Sequence, residues 1–265
     1  MQDKAKSSWE SGEAYERYVG RWSRKVAIEF LRRLAQPHGL IWADIGCGTG
    51  ALLSAILAMC EPAQVYGIDA SDNFIAQARL RISDPRASFR VADATRLPLD
   101  AGACDATVSS LMLNFVSDHE AAVREMVRVT RPGGVVASYV WDYAGGMQMM
   151  RLFWEAAGEV TPEDAKLDEG QRFPICQPEP LAALFTSAGL KTVSVDAIDI
   201  PTVFENFDDY WAPFLGKTGA APTYLASVSD AVQEQIQMRL RSRLAMPDDG
   251  LITLTARAWA VQGIV

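Results

Sequence analysis

Apolar positions change their period several times along this chain, and each change marks an element. Between residues 10 and 35, Val26, Ile28, Phe30, Leu31 and Leu34 recur on the three-to-four spacing of an amphipathic helix, which Pro37 and Gly39 then stop. The run Leu40, Ile41, Trp42, Ala43 is short and continuous, the pattern of a strand buried on both faces, and Ala51–Met59 returns to helical form. A second strand is expected to end at Asp69, and further strands at Ser88–Ala92, Asp105–Ser110 and Val135–Trp141, with a helix at Glu120–Val129. Alternation of this kind up to residue 141 predicts a parallel sheet covered by helices on both faces. Beyond it, Glu179–Ala188 reads as a helix, Leu190–Val203 as an extended strand and Leu251–Val261 as the last strand.

The densest local signal is Ala43-Asp44-Ile45-Gly46-Cys47-Gly48-Thr49-Gly50, at the junction of the first strand with the helix after it. Glycines at such a turn admit left-handed backbone and bring the chain against a ligand with no Cβ between, while the helix start offers unpaired N–H groups. Asp69, closing the next strand, is placed to accept both hydroxyls of a ribose. Two cofactor classes fit the spacing. Gly46, Gly48 and Ala51 match the G-x-G-x-x-[GA] of dinucleotide sites, and Gly46, Gly48 and Gly50 match the G-x-G-x-G of S-adenosylmethionine sites. Asp44 favours the second, because a carboxylate two residues before the first glycine repels a pyrophosphate and attracts an ammonium or sulfonium. Asp93-Ala94-Thr95-Arg96-Leu97-Pro98 forms a polar turn suited to an adenine edge, and Arg131-Pro132-Gly133-Gly134 reads as a tight turn before the fifth strand.

In this order, over residues 13 to 142, these features resemble the class I S-adenosylmethionine-dependent methyltransferases, in the branch that includes ubiquinone and menaquinone C-methyltransferases and many small-molecule methyltransferases. The resemblance implies a Rossmann-like, doubly wound α/β fold with a mainly parallel seven-stranded sheet, an antiparallel edge strand and a helical cap. It implies S-adenosyl-L-methionine as cofactor and S-adenosyl-L-homocysteine as product. Carried over by position, Gly46, Cys47, Gly48 and Gly50 wrap the methionine part, and Asp69 holds the ribose, with Ala70 beside it among the cofactor-binding positions. Phe74 lies against adenine, Asp93 and Ala94 meet its amino group and ring nitrogen, and Leu111 brings backbone to the amino acid end. The segment from Tyr15 to Trp22 is similar to the family's N-terminal lid helix, with Tyr18 and Arg21 closing over the cofactor. The implied organisation is a cofactor-binding core with its lid over 1–141, a cap segment over 142–178, a core helix and strand over 179–203, a cap insertion over 204–250 and a final core strand over 251–265, together one structural domain.

Trp141, Tyr143, Met147, Met149, Met150, Phe153 and Trp154 form one aromatic and thioether-rich tract, and Phe204, Phe207, Tyr210, Trp211 and Phe214 form a second. Two readings stand. Either the tracts pack the cap, or Trp141, Tyr143, Trp154 and Trp211 line an apolar acceptor pocket with a cation–π contact to the sulfonium and with Asn114 on an acceptor oxygen. No catalytic residue is assigned. His119 follows Ser117 and Asp118 at a helix start and reads as a surface or capping residue, and His38 as an exposed turn residue. Leu113-Asn114-Phe115 stands where many relatives carry a histidine or aromatic residue, and Asp142 and Tyr143 suit either proton transfer or structure. Positioning alone carries much of the chemistry: effective molarities correspond to roughly 7–11 kcal/mol of barrier, more than the few kcal/mol from one general base.

Composition narrows the rest. With 265 residues and 49% hydrophobic content the chain can bury a large core, and a net charge of -8 weighs against a nucleic-acid surface. Arg239, Arg241 and Arg243 read as one solvated helix face. Cys47, Cys60, Cys104 and Cys176 include no C-x-x-C pair, so neither a disulfide framework nor a metal site is expected. The longest apolar stretch, Ala51–Cys60, is interrupted by Ser54 and too short for a bilayer, and no leader pattern precedes it, so a cytoplasmic placement is expected. The oligomeric state is left open. Neither an Asn-Pro-Pro-Tyr or Asp-Pro-Pro-Tyr run nor a Pro-Cys nucleophile follows the fourth strand, which disfavours methylation of adenine, glutamine or cytosine C5. The expected activity is therefore methyl transfer to a small, apolar or aromatic molecule. An NAD(P)-dependent oxidoreductase sharing the first turn and a non-catalytic S-adenosylmethionine-binding protein are the alternatives.

Overall fold

The computed structural model describes residues 20–216, 219–244 and 250–265; the expectation for Tyr18 lies outside them. A first helix, α1 (Arg21–Leu34), leads into β1 (Ile41–Ile45), α2 (Ala51–Met59), β2 (Gln64–Asp69), α3 (Asp72–Arg81), β3 (Ala87–Val91) and β4 (Cys104–Ser110). A 3₁₀ turn, Leu113–Phe115, precedes α4 (His119–Val129) and β5 (Thr130–Trp141). The chain continues through α5 (Gln148–Val160), the single turn α6 (Glu169–Arg172), α7 (Pro178–Ser187), β6 (Lys191–Phe204), α8 (Phe207–Trp211), α9 (Ala220–Leu225), α10 (Asp230–Arg243) and β7 (Ile252–Ile264).

The seven strands form one sheet in the order β3-β2-β1-β4-β5-β7-β6. The first five pair in parallel and β7 runs antiparallel to β5, with Val135 opposite Ile264 and Trp141 opposite Ala258. Arg257 pairs with Asp199 at 2.7 Å and Gln262 meets Ser194 at 3.4 Å, so numbers rise along β7 as they fall along β6 and this edge pair is antiparallel too. β5 starts five residues before the expected Val135, because Thr130 already pairs with Cys104. The register then jumps to Ala106 opposite Val135, so Arg131-Pro132-Gly133-Gly134 is a bulge within the strand and not a turn before it. A Cβ on Gly134 would lie 2.6 Å from the Asp105 carbonyl oxygen, which explains the glycine there.

Contacts divide the chain into two compact units. One comprises Ser23–Trp141, Ile175–Ile198 and Ala258–Val265, and the other, among the described residues, Asp142–Pro174, Asp199–Arg257 and residues 20–22. The first holds the five parallel strands, with Trp42, Val65, Ile68, Val108 and Val136 wholly buried. Helix starts there are capped by side chains the sequence supplies locally: Ser71 Oγ accepts from the Phe74 amide at 3.3 Å and Asp118 from the Ala121 amide at 2.9 Å. In the second unit α5 packs on α10, and Phe153 stacks on Phe214 with centroids 4.6 Å apart. Among the described residues no helix is long and apolar enough to cross a membrane, and no cluster of His, Cys, Asp and Glu is arranged to hold a metal.

Candidate functional site

The turn from β1 to α2 has the backbone that its glycines foretell. Gly46, Gly48 and Gly50 have φ of +71°, +53° and +90°, a region costly for residues with a Cβ. The loop is pinned to β2, since the Gly46 and Cys47 amides donate to the Ile68 carbonyl at 2.7 and 3.1 Å. A Cβ on Gly46 would fall 2.2 Å from Met112 Cγ and one on Gly50 would fall 2.4 Å from Ile82 Cδ1, whereas one on Gly48 would meet nothing within 4 Å. Gly48 therefore presents open backbone. Met112 was not foreseen as a neighbour of the elbow, and nothing local in the sequence signals a contact between segments so far apart.

Asp69 ties the end of β2 to this loop. Its Oδ2 accepts from the Gly48 amide at 2.9 Å and its Oδ1 from the Ser71 amide at 2.8 Å. Each oxygen keeps lone-pair capacity for a hydroxyl. Burial pushes the Asp69 carboxyl above the usual range, with the two amides acting against it. Asp44 differs: it is 0% exposed, and neither of its oxygens has a hydrogen-bond partner. Burial, then the nearby Asp69 charge, push it up to about 8, while the Leu53 amide at the start of α2, which completes no full hydrogen bond to it, pulls it down. A buried carboxyl lacking donors is unfavourable unless a cation or a proton meets it. The site thus fits a ligand that brings a positive group to Asp44. Cys47 is buried, and burial followed by the charges of Asp44 and Asp69 drives its thiol well up, which leaves it unreactive.

Other carried-over positions follow the C-terminal ends of β2, β3 and β4. The Ala92 amide donates to the Asp69 carbonyl at 3.0 Å, bringing the end of β3 beside Asp69; Ala70 is exposed and Phe74 half-buried. Asp93 is exposed, and its Oδ1 takes the Thr95 amide at 2.8 Å and hydroxyl at 2.7 Å, a turn that shapes the segment containing Ala94. Leu111 has φ +54°, unusual for a branched side chain, and its amide donates to the Tyr139 carbonyl at 2.8 Å. Asn114 and Trp141 lie beyond the ends of β4 and along the end of β5, buried.

The second unit holds the remaining candidates. Arg21 lies over the Trp22 and Phe204 rings, 4.6 and 5.0 Å from their centroids, and 3.6 Å from Asp209. Tyr143 is buried 5.5 Å from Phe173, and Trp211 stacks on Phe207 at 6.2 Å. Trp154 Nε1 donates to Glu169, a buried acid that sequence reasoning missed because it stands in a polar stretch; burial pushes its carboxyl up to about 7. A separate cleft of about 560 Å3 in this unit, lined by residues including Arg151, Leu152, Arg243 and Ile252, contains none of the expected site residues. His119 is half-buried with its pKa lowered by burial, and the helix cap beside it is Asp118; His38 is exposed, 3.3 Å from Glu61.

Comparison with known proteins bears on family and fold. Residues 43–138 match a family model described as a methyltransferase domain. A demethylmenaquinone methyltransferase of Desulfitobacterium hafniense (strain Y51) is 32% identical over 187 residues, which cover 63% of this chain and 71% of that protein. The tRNA (carboxymethyluridine(34)-5-O)-methyltransferase ALKBH8 of Macaca fascicularis is 37% identical over 117 residues, 43% of this chain but 16% of that protein, so this chain spans less than a fifth of that relative. The phosphoethanolamine N-methyltransferase 2 of Haemonchus contortus, solved with S-adenosyl-L-methionine, has a like fold: the TM-score is 0.60 at 19% identity, over 95% of this chain and 56% of that one. This chain belongs to the class I S-adenosylmethionine-dependent methyltransferases.

Proposed function

We propose that this chain transfers the methyl group of S-adenosylmethionine to a small molecule of apolar or aromatic character. The observation that carries the reading is the pairing of a glycine elbow open at Gly48 with a buried, unpartnered Asp44 carboxyl beneath it. When bound, S-adenosylmethionine supplies a methyl group already activated on a sulfonium. The residues of the chain then bind and orient. Asp44 balances the positive charge at the amino acid end, Asp69 accepts the ribose hydroxyls, Phe74 and the Asp93–Ala94 turn flank adenine, and the Leu111 backbone closes the other side. No histidine stands at the elbow, so alignment of the acceptor and exclusion of water account for rate.

A small acceptor is preferred to a nucleic acid because the chain carries a net charge of -8, the wrong sign for a polyanion. The relatives named above act on substrates as different as a demethylmenaquinone and a tRNA. A two-stage experiment separates the cases. S-adenosylhomocysteine should raise the Tm of the protein while NAD and NADP leave it unchanged. Labelled S-adenosylmethionine is then offered with quinol, phenol, amine and fatty acid acceptors and with bulk tRNA. Label in a small molecule is the expected outcome. Label in tRNA alone overturns the acceptor class, and stabilisation by NAD overturns the cofactor.

A further inference from the structure

We infer that Asn114 and Trp141 form the polar end of the acceptor site and that the acceptor presents a hydroxyl group to them; this rests on the methyl-transfer reading above. The two residues are 6% and 1% exposed, and Asn114 Nδ2, Asn114 Oδ1 and Trp141 Nε1 all lack a hydrogen-bond partner. Native interiors seldom leave such groups unpaired, since each then keeps its full desolvation cost. Here three unpaired atoms sit at the C-terminal ends of adjacent strands.

Topology places the two at the same end of the sheet. β4 and β5 run parallel with Ser110 beside Tyr139, and the Leu111 amide continues the ladder onto the Tyr139 carbonyl. The chain then turns through Leu113–Phe115, which packs on β5. The registers that join Asp44 to Val108 and Val108 to Ala137 put Asp44, Tyr139 and Trp141 on one sheet face, the face on which Phe30 of α1 meets Tyr139 at 5.0 Å. In open α/β sheets ligands bind outside the carboxyl ends of the strands, where these atoms lie.

The donor and acceptor set selects the ligand chemistry. A carboxamide N–H and an indole N–H donate, and a carboxamide oxygen accepts. A hydroxyl accepts from the donors and gives its own hydrogen to Asn114 Oδ1, so it satisfies the set. An ammonium would meet the oxygen and leave two donors facing a cation. A carboxylate or a ketone would meet the donors and leave the oxygen unpaired. A hydrocarbon would satisfy none. The indole that carries the Trp141 N–H is itself an apolar surface, which suits a phenol or other hydroxylated ring.

The test uses the full chain saturated with S-adenosylhomocysteine and two probes of similar shape, 1-naphthol and 1-methylnaphthalene. Their affinities are measured by titration with the 15N spectrum as readout, and the Trp141 indole signal is assigned from Trp141→Phe. 1-Naphthol should bind at least tenfold more tightly than 1-methylnaphthalene and should shift the Trp141 indole and Asn114 carboxamide signals. Asn114→Leu should abolish that preference while the Kd for S-adenosylhomocysteine stays within twofold, which also reports that the variant is folded. If Asn114→Leu does not fold, Trp141→Phe, which removes one N–H, should reduce the preference at least threefold. Equal binding of the probes, no binding of 1-naphthol, or an unchanged preference in the variants overturns the inference. Failure of S-adenosylhomocysteine to bind the wild type overturns the cofactor reading instead.

Discussion

Asp69 accepts two well-formed backbone amide bonds while Asp44 completes none and feels only the weaker pull of the Leu53 amide, although both sit near the ends of neighbouring parallel strands. That contrast assigns them different tasks. Asp69 is pre-oriented by Gly48 and Ser71, and in the proposed function its remaining lone pairs accept the ribose hydroxyls. Hydrogen bonds to a charged acceptor contribute about 1.5–3 kcal/mol each, and about 1.4 kcal/mol corresponds to tenfold in affinity. Asp69→Ala should therefore raise the Kd for S-adenosylhomocysteine at least tenfold by calorimetry, with Asp69→Asn falling between. A Kd within twofold of the wild type for Asp69→Ala would remove Asp69 from the site. Sequence alone exposed both carboxylates, because the spacing of Asp44 and Asp69 about the glycines is local. It did not expose the orphaned state of Asp44, Asn114 and Trp141, which depends on what distant segments leave uncovered.

At the scale of elements, the β1–α2 turn is shaped by a neighbour as much as by its own glycines. Left-handed backbone costs a residue with a Cβ roughly 1–2 kcal/mol, and Gly46→Ala would add the collision with Met112. Gly46→Ala should lower Tm by several degrees and weaken S-adenosylhomocysteine binding. Met112→Ala placed on top should recover part of the Tm loss, because only the steric share depends on Met112; strict additivity of the two changes would mean that the contact is unimportant. A second tie joins α5 to α6, where Trp154 donates to Glu169. Trp154→Phe leaves that acid without its indole, at a cost of about 1–3 kcal/mol. The bond favours the ionised carboxyl, whose pKa lies at about 7, so the Tm loss should be larger at pH 8 than at pH 6. An equal loss at both would show that Glu169 does not titrate there. The elements themselves were largely readable. Helix α2 falls on Ala51–Met59 as its apolar pattern predicts, and β4, α4 and α7 lie within one residue of expectation. The bulge at Arg131–Gly134 was not readable, because Pro-Gly-Gly has the composition of a free turn and only pairing of Thr130 with Cys104 reveals the strand around it.

Over the whole molecule, the titrating carboxyls fall into two groups that act in different pH windows. Asp84, Asp105 and Glu125 are held below their ordinary range, Asp84 and Glu125 chiefly by hydrogen bonds from Arg86 and Arg128, and Asp105 by the Ile41 amide and Arg131 against its burial. The stability they contribute is complete above their unfolded pKa and is lost only as pH falls. Asp44, Asp69 and Glu169 are raised by burial, Asp44 to about 8 and Glu169 to about 7. Between about pH 4 and pH 8 the folded chain therefore holds more protons at these sites than the unfolded chain, and its stability falls as pH rises. The net charge of -8 acts in the same direction through self-repulsion. The Tm of the ligand-free protein should decline from pH 5 to pH 8.5. Asp44→Asn, which keeps the shape and cannot ionise, should flatten the upper part of that decline; at about 2–4 °C per kcal/mol for a chain of this order, its Tm at pH 8 should exceed the wild type by at least about 3 °C. S-adenosylhomocysteine, whose ammonium is read as meeting Asp44, should flatten the same limb in the wild type and stabilise Asp44→Asn less. The decisive comparison is that difference: ligand stabilisation with the same pH slope in both proteins would mean that Asp44 does not face the charged end of the cofactor, and the glycine elbow would have to hold its ligand some other way.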